Sequence, residues 1–399
     1  MHFFFPSKQG QQSLEELSNQ SLLTPFHPLV LSFIQALSLK FVKMRQYPEI
    51  VALGYWMRKA NIISLQERWQ QDTAGRVIKA KGTIFHIAPS NVDTIFIYSW
   101  LLSLLAGNRN IIRLSRKEQP QQHLIMQALL SALEDPAYSE LAKRNTLLTY
   151  DHDDHKTAQL SQLCHVRVVW GGDQTVNAIR RISLSPMASE LVFPDRFSSS
   201  LIHAEALNKL SSDELLQLAG QFYNDAYWFD QLACSSPRLV VWHGEQGAVE
   251  QAQQLFWNAV EQVFYSKETK LQPAQQVQKL TTGLWLTSEQ EAISMQHSSV
   301  FSRVEFSSLP DDIRERHCGG GFFLEHTITE LSELVDLIAD KDQTLSYFGY
   351  HRAELEALAE AILSRGIDRI VPIGKALDFQ EVWDGQSFLR SFTREINIL

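Results

Sequence analysis

From Gly82 onward the chain repeats one rhythm: short apolar strand, tight turn, helix, turn, strand. Thr83-Ile84-Phe85-His86-Ile87 is the first strand, Ala88-Pro89-Ser90-Asn91-Val92 the turn after it, and residues 94–106 an apolar helix. Gly107-Asn108 then leads into a strand over residues 110–115. Two more units follow. The first has a helix over 121–134 and a strand over 146–149; the second has a helix over 155–163, the strand Val166-Arg167-Val168-Val169-Trp170, the turn Gly171-Gly172-Asp173 and a helix over 174–182. Strands that alternate with helices lie parallel, because a parallel neighbour is reached through a crossover. Ligands of such sheets sit at the carboxyl ends of the strands. Asn91, Arg113 and Gly171-Gly172 all fall there, so this stretch commits the chain to the α/β class.

The chain has 399 residues, enough for two domains or more. A hydrophobic content of 44% and a charged content of 20% are those of a globular protein. The net charge of −9 argues against a general nucleic-acid binder. Cys164, Cys234 and Cys318 are scattered and form no CxxC pair, which suits a reducing cytoplasm and gives no support to zinc or a disulfide framework. The N-terminus lacks a basic n-region with a long apolar stretch, and residues 94–106 are too short to span a bilayer, so a soluble, cytoplasmic protein is expected.

Residues 11–75 carry leucines at helical spacing and are expected to form a helical wrapper. A polar loop is expected over 190–196, then a strand over 197–202. A second α/β portion follows, with helices over 245–267, 330–339 and 351–364 and strands over 283–286, 300–306 and 344–348. Gly319-Gly320-Gly321 marks backbone that needs unusual freedom or a close approach. The ending, INIL, is suited to pairing with another strand.

Residues 221–242 concentrate the chemistry. An aromatic helix-like run leads to Ala233-Cys234-Ser235-Ser236-Pro237, and the strand Leu239-Val240-Val241 leaves it. A thiol at a small-residue apex between helix and strand is reachable by a substrate carbonyl, as a nucleophile requires. The same pattern also suits a buried cysteine that fills space.

Six segments, in order from residue 88 to residue 385, carry a resemblance: APSNV (88–92), LLAGNRNIIRLS (104–115), WGGDQTV (170–176), ELVFPDRFS (190–198), DQLACSSPRLV (230–240) and DRIVPIGKALDFQEVWDG (368–385). Together they resemble the LuxC-type acyl-CoA reductases, the fatty acid reductase component of bacterial bioluminescence, within the aldehyde dehydrogenase superfamily. The resemblance implies an aldehyde dehydrogenase-like fold with a Rossmann-like coenzyme domain and an α/β catalytic domain. The expected boundaries are 1–203 for the wrapper and coenzyme domain, 204–366 for the catalytic domain, and 367–399 for a C-terminal return and oligomerisation tail.

The resemblance also implies a chemistry. Cys234 would take the acyl group from an acyl-CoA or acyl-protein thioester, and a nicotinamide coenzyme would reduce it to an aldehyde. Asn91 would donate to the oxyanion, and Glu190, at the start of the segment matching the superfamily's glutamate motif, would serve as general base. His86 and His203 are further protonatable candidates. The coenzyme would meet Pro89, Ser90, Arg113, Ser115, Gly171, Gly172 and Thr175. Arg113 stands where the superfamily usually has lysine, and a guanidinium suits a 2′-phosphate, which favours NADPH over NADH. The superfamily's ribose-positioning Glu-x-Phe-Gly-Pro motif is not evident near Gly321-Phe322-Phe323. A homo-oligomer, in complex with an acyl-transferring or acyl-activating enzyme, is the partner arrangement implied. The competing reading is a non-reducing subunit in which Cys234 only accepts an acyl group.

Overall fold

The computed structural model describes residues 1–6, 10–89, 95–116, 120–289 and 292–398. The chain divides into two compact units, residues 1–195 with 379–399, and residues 196–378. The first unit holds strands β1 (His2–Phe5), β2 (Val77–Ala80), β3 (Thr83–Ile87), β4 (Arg109–Arg113), β5 (Asn145–Thr149), β6 (Val166–Trp170) and β7 (Ser189–Phe193). Six of these form a sheet in the order β1-β5-β4-β3-β6-β7. All its pairings are parallel except that of β1 with β5. β3, β5 and β6 are buried at every position, as expected where helices cover both faces.

The helix Ile95–Leu105 is buried along its whole length. It shares one core with Val30, Phe33, Ile34 and Leu37 of the helix Pro28–Phe41, so the N-terminal helices wrap this unit. The turn between that helix and β4 needs glycine for a steric reason. Gly107 has φ +89°, and a Cβ there would sit 2.2 Å from the Leu23 carbonyl oxygen. Asn108 accepts from the Gly82 N–H and donates to the carbonyls of Ser103 and Phe392.

The second unit holds β8 (Phe197–His203), β9 (Leu239–His243), β10 (Ala292–His297), β11 (Ser302–Phe306), β12 (Phe322–Ile328), β13 (Asp342–Phe348) and β14 (Arg369–Pro372). Their order is β10-β11-β12-β9-β8-β13-β14, parallel throughout except for β10 against β11. The compact units part at 195/196 and 378/379, whereas the sequence suggested 203/204 and 366/367. β8 pairs with β9 and β13, which draws it into the second unit. At the other end, Asp225 accepts from the N–H groups of Gly374 and Ala376, and this draws the segment past β14 into the same unit.

Two further expectations need correction. Residues 283–286 belong to the helix Pro273–Glu289 and not to a strand; Leu286 is buried in the core, and so short an apolar run does not tell strand from helix. Residues 189–193 form β7, and the polar loop expected over 190–196 shrinks to the residues after it. In the first unit β15 (Val382–Trp383) and β16 (Gln386–Ser387) form a hairpin, and β17 (Thr393–Ile396) pairs antiparallel with β2; of the INIL ending only Ile396 takes part in that pairing.

Candidate active site

In the first unit the carboxyl ends of β3, β4 and β6 open into a cleft of about 550 Å³. Its walls include Pro89, Arg113, Ser115, Gly171, Gly172 and Thr175, together with Arg116, Tyr150 and Trp170. Every coenzyme candidate from the sequence that is described lies on this one cleft; Ser90 and Asn91 fall outside the described residues. Gly172 caps the helix Asp173–Arg180 with no side-chain cap, and a Cβ on it would meet nothing within 4 Å, so open space lies before it. A helix start of this kind presents backbone N–H groups to an anion. Arg113 places its guanidinium 4.8 Å from the Tyr150 ring centroid and donates to the Tyr150 carbonyl at 3.4 Å. Its Nε is buried with no hydrogen-bond partner among the described residues. Arg116 and Asp151, both exposed, form an ion pair. These two, with Ser115 and Tyr150, also line a second cavity of about 1050 Å³, which runs on towards β1. The glycine turn, the helix start and the guanidiniums fit a phosphate-bearing nucleotide.

In the second unit the helix Ser212–Tyr227 is started by a capping box of Ser211 and Glu214 and leads towards Cys234. Asp230 and Gln231 both adopt left-handed conformations, φ 51° and 62°, and turn the chain sharply. The Ser236 N–H donates to the Ala233 carbonyl at 3.0 Å, which closes a turn with Cys234 and Ser235 at its centre. Cys234 is half-buried there and not disulfide-bonded. The Ser198 hydroxyl donates to the Cys234 carbonyl at 2.6 Å and accepts from the Thr344 N–H at 3.2 Å. The loop lies just before β9 and is anchored to residues at the starts of β8 and β12.

The other two thiols are suited to packing. Cys164 is buried, and burial pushes its thiol up to about 12. Cys318 is also raised by burial. His317 beside it is held well below the usual imidazole range by burial and is therefore neutral. Its Nδ1 accepts from the Gly319 N–H at 3.2 Å, which leaves the proton on Nε2.

Glu190 is not placed as a base. It lies near the start of β7, at the end of the strand remote from the cleft, in register with Arg167. Arg167 grips its carboxylate at 2.6 Å and Arg180 approaches at 3.4 Å. A carboxylate with two cationic partners is suited to anchoring rather than to taking up a proton. His86 is fully buried between Ser99 and Asn110, and burial pushes it down to about 4, so it is a neutral strut of the core. His203 stands at the end of β8 beside His243 and Tyr350, at the end of the sheet opposite the cysteine turn. The sequence passed over Gln231, Ser198, Tyr150 and Trp170. Gln231 sits inside a segment already singled out for its cysteine, so its signal was present but unread.

A glycine-turn cleft at the carboxyl edge of one parallel sheet, and a cysteine turn at the amino edge of another, describe an enzyme of the aldehyde dehydrogenase fold. Solved structures agree. Aldehyde dehydrogenase 21 from Physcomitrella patens, in complex with the reaction product succinate, superposes with a TM-score of 0.68 at 10% identity, over 96% of this chain and 89% of that one. A lactaldehyde dehydrogenase gives 0.66 at 11%, over 97% and 90%. A mutant of the P. syringae indole-3-acetaldehyde dehydrogenase AldA, in complex with NAD+ and IAA, gives 0.65 at 10%, over 97% and 87%. Curated protein sequences give no match. The family model for acyl-CoA reductase (LuxC) matches residues 63–395, and the chain belongs to that family. It is an aldehyde-related oxidoreductase. Among the described residues no helix is long and apolar enough to cross a membrane.

Proposed function

We propose that the protein reduces a fatty acyl-CoA, or an acyl-protein thioester, to an aldehyde at the expense of NADPH, through an acyl group held on Cys234. The observation that carries this reading is the placement of Cys234: half-buried at the apex of a turn closed by backbone hydrogen bonding, while burial raises the other two thiols.

The Cys234 thiolate attacks the thioester carbonyl, a new carbon–sulfur bond forms, and the coenzyme A thiolate departs and is protonated. NADPH, when bound, supplies the hydride. The acyl group becomes a thiohemiacetal on Cys234, whose carbon–sulfur bond breaks to release the aldehyde and return the thiolate. Splitting one hard step into two is the benefit of a covalent intermediate. Asn91 remains the proposed oxyanion donor. Pro89, Ser90, Ser115, Gly171, Gly172 and Thr175 are proposed to hold the coenzyme. The preference for the 2′-phosphate is assigned to Arg113, with Arg116 beside it on the cleft wall. The partners proposed are the acyl donor, whether coenzyme A thioester or acylated protein, and further copies of this chain, in a reducing cytoplasm.

The test is NADPH oxidation across a panel of acyl-CoAs, with the native protein beside Cys234→Ala. Activity confined to the native protein supports the reading. Acylation of Cys234 without any NADPH oxidation would replace it with the acyl-accepting subunit.

A further inference from the structure

We infer that Gln231 is the positioning residue of the cysteine site: its amide fixes the turn that carries Cys234, and its loss moves the thiol without unmaking the coenzyme cleft. The inference rests on Cys234 being the acylated thiol. Gln231 is completely buried, and its amide is fully used. Nε2 donates to the carbonyls of Pro237 at 2.8 Å and Phe322 at 2.9 Å. Oε1 accepts from the N–H groups of Gly321 at 3.0 Å and Phe322 at 2.9 Å. Two carbonyls face the NH2 and two N–H groups face the oxygen, so the partners settle which way the amide points.

Residues 231 and 237 bracket Cys234, so one side chain closes the loop end to end and ties it to the start of β12. The triple glycine is the matching half. Gly319, Gly320 and Gly321 all have positive φ, 73°, 64° and 82°. The Gly320 N–H donates to the Asp230 carbonyl at 2.8 Å, and a Cβ on Gly319 would lie 2.8 Å from that same oxygen. Only a backbone without side chains comes this close, and it comes close at the residue before Gln231. The clamp therefore joins two features of the sequence, the polar residue three before the cysteine and the glycine run.

An amide is required because no other side chain of this length both donates twice and accepts twice. Gln231→Glu keeps the shape and the two acceptor bonds but loses both donations to Pro237 and Phe322 when ionised, and one of the two when protonated. The native protein, Gln231→Glu, Ser198→Ala and Cys234→Ala are compared for acyl-CoA reduction, NADPH affinity, and the pH dependence of Cys234 alkylation by iodoacetamide. Displacement of a reacting group by about 1 Å costs on the order of a hundredfold. Gln231→Glu is expected to lose about 30-fold or more in kcat, with the pH midpoint of alkylation shifted and NADPH affinity within about twofold of native. Should Gln231→Glu not fold, Ser198→Ala carries the test, because it releases the same cysteine turn from its second anchor, the hydroxyl on the Cys234 carbonyl; a fall of about fivefold in kcat with a shifted alkylation profile supports positioning by these anchors. A folded Gln231→Glu with native kcat and native alkylation profile, while Cys234→Ala is inactive, overturns the clamp and leaves the acylation reading standing. So does an unchanged Ser198→Ala where Gln231→Glu does not fold. Activity retained in Cys234→Ala overturns the acylation reading, and the clamp with it.

Discussion

The two parallel sheets are used from opposite ends. In the first unit the cleft opens at the carboxyl ends of β3, β4 and β6, where helix starts and glycine turns gather. In the second unit Cys234, the proposed nucleophile, lies before β9, and its anchors come from the starts of β8 and β12. A carboxyl edge offers backbone N–H groups as a by-product of the strand-turn-helix rule, and these suit phosphate. An amino edge offers nothing comparable without help. The second unit supplies that help through side chains, Gln231 and Ser198, and through glycines that let two loops touch. On the proposed function, a nucleotide is held by a motif and a nucleophile by a local scaffold.

The comparison is broken most severely at the nucleophile. Cys234→Ala is expected to lose NADPH oxidation with acyl-CoA by on the order of a thousandfold or more while its NADPH affinity stays native, since Cys234 and the proposed coenzyme cleft lie in different units. Titration of the variant with NADPH checks the second half. At the carboxyl edge the effect is smaller. Arg113→Ala is expected to raise the KM for NADPH about tenfold and to change that for NADH little, because a guanidinium fork answers the 2′-phosphate. Equal losses for both coenzymes would move the discrimination to Arg116.

Glu190→Gln sharpens the assignment of that residue. Arg167 is buried and also donates to Ser161 and Ile182, so weakening its carboxylate partner is expected to lower stability by about 1–3 kcal/mol. Thermal unfolding should report this while kcat stays within about twofold of native. A hundredfold fall in kcat with native stability would restore Glu190 as a base.

Away from both edges, the expected effect is on acid stability, and at neutral pH it vanishes. The folded pKa of His86 is lowered from 6.5 to about 4, so the unfolded chain binds the extra proton between those values and stability falls as pH drops through that window. The loss from this residue approaches roughly 3 kcal/mol at the acid end and is absent above pH 7. His86→Gln should flatten the slope of unfolding free energy against pH between 4 and 6.5.

The carboxyl edge was legible because its chemistry is local. Strand, turn, glycine pair and helix follow one another within a few residues, so Gly171, Gly172 and Arg113 could be placed at strand ends from the pattern, their coenzyme role and that of Thr175 came from the resemblance, and the structure brings all four to one cleft. The amino edge was legible at Cys234 and in the need of Gly319-Gly320-Gly321 for unusual backbone freedom or a close approach. Gln231 acts on Gly321 and Phe322, some ninety residues away in the chain, and Ser198 acts on Thr344, still further off. Contacts across such separations leave no periodicity to read. Glu190 shows the opposite error. Its segment read as a polar loop, and nothing in it showed the two arginines that claim the carboxylate, Arg167 and Arg180, because they lie on other elements.

The central claim is that Cys234 carries the acyl group and the coenzyme discharges it. The most direct measurement is the intact mass of the protein after brief exposure to a long-chain acyl-CoA, before and after addition of NADPH. The account predicts one acyl increment, mapped to Cys234, that disappears on adding NADPH as free aldehyde forms in equal amount. No adduct on the native protein, or the same adduct on Cys234→Ala, would contradict it.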